Sequence, residues 1–548
     1  MRSGNTGIGI GLYWRIGALV LCMVLLSPLM VLLYYFTLDS EGIWQHLYQT
    51  VLAEYIYNSL TLMGGVALGA SLIGVSTAWL TSHCRFPGRS FFRWALILPL
   101  ALPAYISAYV YTGLLEYSGP VQTALRTWFH WQTIHDYYFF NIRSLAGAII
   151  CFSLILYPYI FLLTRTSFDH QSANMFYCAR TLGLSYRQSF FRISLSLARP
   201  AFIAGLSLVL MEVLADYGAV HYFGINTFTT GIVRTWSGLD SLTGAAQLAI
   251  ILVLFIAVLF IAEHLSRRQA QYFQHRHDKP VHIQLQGIWC WLAFGYCLLI
   301  LCMAFIVPVA LLLYWVVMVS ELPWDGAFFR LIRNSLSLAA SSAILIPSLA
   351  VFISYTIRSD TSYITRIIGY TTRLGYALPG VIVALGILII LSRADDVINM
   401  GFALWNMQPV LIFSGTILAL WFAYSIRFMA TAIQSVETGL KRIPPAMDYA
   451  SRSLGYRAWH TLYYVHLPNI RPFVLVSALL VFVEVMKELP ATMILRPFNF
   501  DTLAVRTFQL ATDERLADAA NMALIIILVS LVPLFVINRS MVYQTENG

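Results

Sequence analysis

The segment "ASRSLGYRAWHTLYYVHLP", from Ala450 to Pro468, is polar within a chain that is otherwise mostly apolar. Ala450 and Leu454 are four residues apart and so lie on one face of a helix. Gly455 suits the left-handed cap that ends many helices. We expect a helix that ends at Gly455, a turn, and a second short helix from Ala458 to Pro468. A matching segment earlier in the chain, "ARTLGLSYRQSFFRISLS", places Gly183 at the position equivalent to Gly455.

These two segments belong to a repeat that extends along the chain. The tripeptide that begins at Asn58 returns at Asn334, and a slightly shorter, constant offset relates the two segments and the residues beyond them. The pairs at this second offset are Pro200 and Pro472, Glu212 and Glu484, Asp216 and Glu488, and Val233 and Val505. We therefore predict two homologous halves, 1–264 and 288–548, joined by a cytoplasmic linker at 265–287.

The composition indicates that this repeat lies in a membrane. Hydrophobic residues make up 59% of the 548 residues, charged residues make up 11%, and the mean hydropathy is +0.73. Apolar runs that suffice to cross the hydrocarbon layer, roughly 18 residues or more, recur throughout. We place spans at 16–38, 58–82, 94–114, 144–164, 199–220, 244–264, 288–319, 334–356, 374–392, 409–434, 472–493 and 518–537. The expected fold is all-α and polytopic, with about 12 transmembrane helices in two parallel six-helix halves.

The basic residues indicate how the spans are oriented. Lys and Arg are retained on the cytoplasmic side, and most of them fall in segments that are cytoplasmic if both termini are cytoplasmic. This bias accounts for much of the net charge of +9, so we expect no nucleic-acid partner. The first apolar run is too long for the core of a signal peptide and is interpreted as a retained helix.

The repeated polar segments resemble a known signature. In the permeases of binding-protein-dependent ABC importers, a cytoplasmic loop carries Glu-Ala-Ala, three residues, Gly, nine residues and Ile-x-Leu-Pro. The matching positions are Ala179, Gly183, Ile193 and Leu195 in the first copy, and Ala450, Gly455, Val465, Leu467 and Pro468 in the second. The departures are Tyr177 and Tyr449 for the acidic residue, Cys178 and Ser451 for an alanine, and Ser196 for the proline. The resemblance implies that loops at about 165–198 and 435–471 couple the chain to ATPase subunits.

Two longer stretches resemble a narrower group within that family. These are "MEVLADYGAVHYFGINTFTTGIVRTW" at 211–236 and "KELPATMILRPFNFDTLAVRTFQLATDERLADAA" at 487–520. Both are similar to the fused two-domain permeases of ferric-iron importers of bacterial inner membranes, which have the type I importer fold. This resemblance implies Fe3+ as the transported substrate, a periplasmic iron-binding protein, two ATPase subunits and transport by alternating access. Thiamine permeases share the fused layout, so a thiamine or other small-solute permease is the alternative.

Four carboxylates in the fifth and eleventh predicted spans are candidates for contact with the substrate. Glu212 and Asp216 are four residues apart, and Glu484 and Glu488 repeat that spacing. Acidic side chains within a span are costly unless they face a cavity or a partner, and hard oxygen ligands suit a hard cation. We expect them to line the translocation pathway without forming a stable metal site. The alternative is a structural role, in which a carboxylate pairs with Lys487 or with a loop arginine.

The sequence carries no sign of catalysis by the chain itself. It lacks the G-x-x-x-x-G-K-[ST] phosphate-binding loop, so we expect partner subunits to hydrolyse ATP and this chain to bind no cofactor. The seven cysteines form no C-x-x-C pattern, which argues against a zinc site. A proton-coupled 12-helix secondary transporter is the alternative from a different class. It accounts for the spans and the acids, but it leaves the paired polar loops unexplained.

Overall fold

The computed structural model describes residues 12–40, 42–171, 181–268, 283–320, 325–360, 362–375, 378–405 and 407–546. Within these residues, ten helices are long and apolar enough to cross a membrane. A bent pair of segments, Arg89–Ala101 and Ala104–Phe129, meets at 94° and forms an eleventh candidate. The structure is therefore that of a polytopic helical membrane protein.

Most helices of the first half have a counterpart in the second half, in the same order. The first half contains α1 (Leu12–Phe36), α2 (Ile43–Thr50), α3 (Leu52–His83), α4 (Arg89–Ala95), α5 (Ala104–Leu115), α6 (Pro120–Phe129), α7 (Leu145–Asp169), α8 (Tyr186–Ser189), α9 (Phe190–Ala215), α10 (Gly218–Tyr222), α11 (Phe228–Gly238) and α12 (Leu242–Arg268). The second half contains α13 (Ile288–Met318), α14 (Gly326–Ser359), α15 (Tyr363–Leu374), α16 (Gly380–Ala403), α17 (Ile417–Lys441), α18 (Pro445–Ser453), α19 (Ala458–Lys487), α20 (Pro490–Leu495), α21 (Leu503–Thr512) and α22 (Leu516–Glu546).

Two short strands connect the end of the expected linker to the first half. Strand β1 (Cys84–Arg85) follows α3, and β2 (Ile283–Gln284) precedes α13. They pair in parallel, with Cys84 opposite Ile283. The chain thus returns to the end of α3 before the second half begins.

Most of the predicted spans correspond to single helices. The third and the ninth differ as follows, and the fifth and the eleventh are described below. The third, at 94–114, is interrupted by a 3-10 turn at Leu98–Ala101 and by extended backbone at Leu102, which precedes Pro103. The ninth, at 374–392, overlaps α16, whose last turns carry three charged residues. One of these, Asp395, is buried and accepts hydrogen bonds from the backbone of the following loop.

The two halves interlock through their first helices. Helix α1 packs against the second half, where the Arg15 Nε atom lies 2.7 Å from Asp360 Oδ2. Helix α13 packs against α5, and the ring of Trp315 stacks on Tyr109 with 6.3 Å between their centroids. Lipid is as apolar as these helices, so close packing and polar contacts hold such helices together. Each half therefore depends on the other for part of its packing.

Two helices begin earlier than the sequence indicates. The predicted short helix from Ala458 to Pro468 is wrong as a separate element, because α19 continues through Pro468 to Lys487. A π-helical turn at Thr461–His466 lies within it. Helix α9 begins with the same kind of turn, although Ser196 stands in place of the proline there. The proline is therefore not the common cause of the turn.

The same two helices also end early, and this is a second correction. Helix α9 stops at Ala215 and α19 at Lys487, before the predicted span ends at 220 and 493. Asp216 and Glu488 follow in extended conformations, with ψ angles of 136° and 123°. Each half then turns into a short helix, α10 or α20. The carboxylates therefore do not lie one above the other on a continuous helix.

Candidate functional site

A cavity of about 130 Å³ lies between the two halves, where α9 and α19 end. All four predicted acids line it: Glu212, Asp216, Glu484 and Glu488. Residues of α5 and α7 contribute to the first-half wall, and residues of α17 contribute to the second-half wall. The repeat in the sequence thus becomes a single site, in which equivalent side chains approach from opposite halves.

Asp216 caps the short helix that follows it. Its Oδ1 atom accepts hydrogen bonds from the backbone N–H groups of Ala219, at 2.8 Å, and Val220, at 3.3 Å. The Thr229 hydroxyl donates to the Asp216 carbonyl at 2.7 Å. A carboxylate at this position satisfies N–H groups that the first turn of a helix leaves without partners. Asp216 therefore fixes the start of α10 as well as lining the cavity.

Glu488 performs the same capping function but is held more strongly. It accepts hydrogen bonds from the backbone N–H of Ala491, at 3.1 Å, and of Thr492, at 2.9 Å, and from the Thr492 hydroxyl, at 2.7 Å. Its Oε1 also pairs with Arg427 Nη1, and the Glu488 side chain is only 1% exposed. A Cβ at Gly380 would lie 2.8 Å from this Oε1, so a larger residue there would displace the pair. These contacts agree with the structural alternative, but the partner is Arg427.

Lys487 contacts the other second-half acid. Its Nζ atom lies 3.5 Å from Glu484 Oε1 and donates to the carbonyl of Leu100 at 3.2 Å. The Glu484 side chain is 37% exposed, whereas the Lys487 side chain is 18% exposed. Because Leu100 belongs to the first half, this lysine joins the two halves beside the cavity.

Arg427 is a cavity residue that the sequence reasoning missed. It lies in α17, inside the predicted span at 409–434. At the offset that relates Glu484 to Glu212, the equivalent first-half residue is Ile155. Comparison of the two halves therefore gives no indication of the arginine. The available signal was the presence of an arginine within an apolar span, since such residues normally face a partner or a cavity.

The cavity is not a preformed metal centre. Within the described residues, no group of three or more His, Cys, Asp or Glu side chains is positioned to hold a metal ion. The four carboxylates line one space without converging on one point. The arrangement can offer oxygen contacts to a cation, but it does not form a complete coordination sphere.

The second candidate site is the pair of polar loops. Helix α18 ends at Ser453, and Gly455, two residues later, has a φ angle of +82°. The Gly455 N–H bonds to the Arg452 carbonyl at 2.8 Å, and the Tyr456 N–H bonds to the Ser451 carbonyl at 3.1 Å. This pair of bonds is the Schellman motif, in which a left-handed residue closes a helix. Gly183 has the same φ angle of +82°, so the predicted left-handed turn is confirmed in both loops.

The two turns present equivalent apolar side chains to the outside. Leu182, before Gly183, is 81% exposed, and Leu454, before Gly455, is 76% exposed. Of the other predicted loop residues, Ala450 and Pro468 are exposed, whereas Ile193, Leu195, Val465 and Leu467 are partly buried in the first turns of α9 and α19. Ala179 lies outside the described residues, together with Tyr177 and Cys178.

Asp448 holds the second loop in place through buried contacts. It is buried in α18, where Arg358 Nη2 donates to its Oδ2 at 2.7 Å and His466 Nε2 donates to its Oδ1 at 2.6 Å. Burial alone would raise the pKa of Asp448, but the hydrogen bonds from His466 and Arg358 outweigh it and hold the pKa below its ordinary value. These contacts tie α18 to α14 and α19. The sequence reasoning did not identify this anchor.

Two repeated helical halves, a charged cavity between them and a matched pair of polar loops define a membrane transport permease. The chain belongs to the family described as the binding-protein-dependent transport system inner membrane component. The family matches residues 70–271 and 358–545, once in each half. The protein is therefore a multi-pass inner-membrane subunit of an ABC importer, a class that works with ATPase subunits and a periplasmic binding protein.

Several known permeases resemble the chain. The Fe(3+)-transport system permease protein FbpB 2 of Haemophilus influenzae is 25% identical over 501 residues, which cover 90% of this chain and 91% of the relative. A putative ferric transport system permease protein, FbpB 1, of the same organism is 24% identical and covers 84% of this chain and 73% of the relative. The molybdenum transport system permease protein ModB of Escherichia coli is 27% identical over 40% of this chain and 93% of its own length. A single-unit permease thus matches less than half of the chain.

Proposed function

We propose that the chain moves ferric iron from the periplasm to the cytoplasm as the fused permease of an ABC importer. The observation that carries this proposal is that four repeated carboxylates line one cavity between the halves. Hard oxygen ligands favour a hard, highly charged cation. The ferric relatives cover most of the chain, which supports the same substrate. Membership of the ABC family argues against the proton-coupled secondary transporter.

Within this proposal, the carboxylates have two different roles. Asp216 and Glu488 are engaged in capping short helices, so they shape the site and contribute negative charge. Glu212 and Glu484 lie one turn earlier, on α9 and α19, where they line the same cavity. Weak, sequential contacts suit transport, because a tightly coordinated ion would leave the site slowly.

We further propose that one ATPase subunit docks at each polar loop. The exposed Leu182 and Leu454 offer matched apolar contacts, and Asp448 transmits movement of α18 to α14 and α19. ATP binding and hydrolysis in the partners then drive alternating access of the cavity. The periplasmic iron-binding protein delivers its cargo on the opposite side, and both termini are cytoplasmic.

The boundaries of the halves are part of the proposal. Helix α12 ends at Arg268 and α13 begins at Ile288, which supports halves at 1–264 and 288–548 with a linker at 265–287. Strand β2 pairs with β1, so residues 283–284 lie beside the end of α3, which agrees with the proposed linker. In a fused permease, such a linker keeps the two halves together without a separate assembly step.

The test is transport by a strain that lacks the gene. We expect the strain to lose ATP-dependent uptake of ferric iron and to regain it when the wild-type gene is restored. Thiamine uptake serves as the comparison, because thiamine permeases share the fused layout. Normal iron uptake in the deletion strain, together with lost thiamine uptake, would overturn the ferric assignment.

A further inference from the structure

The charge of the cavity departs from the symmetry of the repeat. The acid pairs occur in both halves, but the two basic side chains among the described lining residues, Arg427 and Lys487, both belong to the second half. At the offset that relates the two acid pairs, the equivalent first-half residues are Ile155 and Ala215, which also line the cavity. The second-half acids therefore have basic side chains beside them at two positions where the repeat has apolar residues in the first half.

The two internal cations differ in how firmly they are held. Arg427 pairs with Glu488, which is almost completely buried and accepts three further hydrogen bonds. Lys487 approaches Glu484 at 3.5 Å, well beyond the roughly 2.7–2.9 Å of a strong charge-assisted hydrogen bond. Its flexible stem also allows the ammonium group to change partners. Lys487 is therefore the cation that can be displaced.

Lys487 also connects the halves. Its second contact is the carbonyl of Leu100, in the 3-10 turn at Leu98–Ala101 of the first half. Alternating access requires the two halves to separate on one side of the cavity and to approach on the other. A bond between α19 and this turn must then break when the cavity changes its access.

We propose that Lys487 is a displaceable internal counter-ion that latches the cavity closed. This inference rests on the proposed function, because it assigns a cation as the cargo. In the empty cavity, the ammonium group neutralises Glu484 and holds Leu100. An arriving cation contacts the first-half acids and competes with Lys487 for Glu484. Once displaced, Lys487 releases Leu100, and the halves separate.

The experiment uses the complete importer in lipid vesicles, with three variants. Lys487→Met removes the charge and keeps the length, and Lys487→Arg keeps the charge. Arg393→Met is the matched control, because Arg393 and Asp396 form an ion pair with the same three-residue spacing, 3.9 Å apart, on the exposed end of α16. Protein yield and assembly with the ATPase subunits are measured for each variant.

ATPase activity is measured first without cargo and then with increasing ferric iron and its binding protein. We expect Lys487→Met to raise the cargo-free rate and to lower the iron concentration for half-maximal stimulation by roughly two- to fivefold, as for loss of a partly exposed ion pair. Arg393→Met should remain near wild type, whereas Lys487→Arg keeps the positive charge and should not raise the cargo-free rate. In a Glu484→Gln background, Lys487→Met should no longer shift the iron response, since the two residues act on each other.

The possible results separate this inference from the proposed function. If wild type responds to iron but Lys487→Met behaves like wild type in both measurements, the latch is refuted and the ferric function stands. If Lys487→Met shifts the iron response equally in the Glu484→Gln background, competition for Glu484 is refuted. If the ATPase activity of wild type does not respond to iron, the ferric function is refuted, and so is competition between iron and Lys487 for Glu484. The cargo-free ATPase rate of Lys487→Met still reports whether Lys487 restrains the two halves.

Discussion

Glutamine at position 488 should destabilise the protein far more than asparagine at the equivalent position 216. Glu488→Gln removes the charge that balances Arg427 and turns an amide NH2 group toward donors that now bond to a carboxylate oxygen. Removing one partner of a buried ion pair costs about 3–5 kcal/mol. Asp216→Asn retains an Oδ1 acceptor for both capping N–H groups, so we expect a cost of about 1 kcal/mol or less.

The assay is the fraction of purified protein that stays monodisperse after heating in detergent. We expect Glu488→Gln to lose stability and yield, and the double variant with Arg427→Met to recover part of both, because it no longer contains an unpaired buried cation. Asp216→Asn serves as the control at the equivalent position in the repeat. Equal thermal stability of Glu488→Gln and wild type would refute the view that Glu488 is a structural carboxylate.

Further variants address the two polar loops, the cavity and the Asp448 anchor. Gly183→Val and Gly455→Val should each strain the left-handed turn by about 1–2 kcal/mol and lower ATP-driven uptake, while membrane insertion persists. Gly42→Val is the control, because Gly42 has a φ of +81° and open space at its Cβ position. An equal loss of uptake in Gly42→Val would contradict a coupling role for the loops. Glu212→Gln should lower iron uptake without reducing ATPase assembly, and unchanged uptake would remove it from the pathway. The ionised Asp448 should stabilise the protein above its ordinary pKa of 3.8, and this stabilisation should disappear as the pH falls through its lower native pKa. Thermal melts at decreasing pH should show this loss in wild type, and Asp448→Asn should lack it.

Hydropathy and repeat spacing indicate much of the architecture because both follow from simple constraints. A helix in lipid satisfies its own backbone, so long apolar runs mark most of the spans. A residue with positive φ favours glycine, which allowed the turns at Gly183 and Gly455 to be predicted. The equivalent spacing of Glu212 and Glu484 likewise predicted that two copies of one helix would bring their acids to one site.

The sequence could not predict where the backbone changes direction, or contacts that are present in only one of the two halves. The breaks at Asp216 and Glu488 fall inside segments that were predicted as single spans, because each carboxylate caps the next short helix while the chain turns. The ion pair of Arg427 has no counterpart in the first half, where Ile155 is equivalent. The exchange of α1 and α13 between halves leaves no periodic signal, since lipid-facing and helix-facing residues are similarly apolar.

The most direct test of the ferric permease is uptake of radiolabelled iron by vesicles that contain the chain, its ATPase subunits and its periplasmic binding protein. We expect iron to accumulate only when ATP and the binding protein are both present, with Glu212→Gln reducing the rate and Arg393→Met leaving it unchanged. Iron accumulation that does not require ATP, or none in the complete wild-type system while thiamine accumulates, would contradict the assignment.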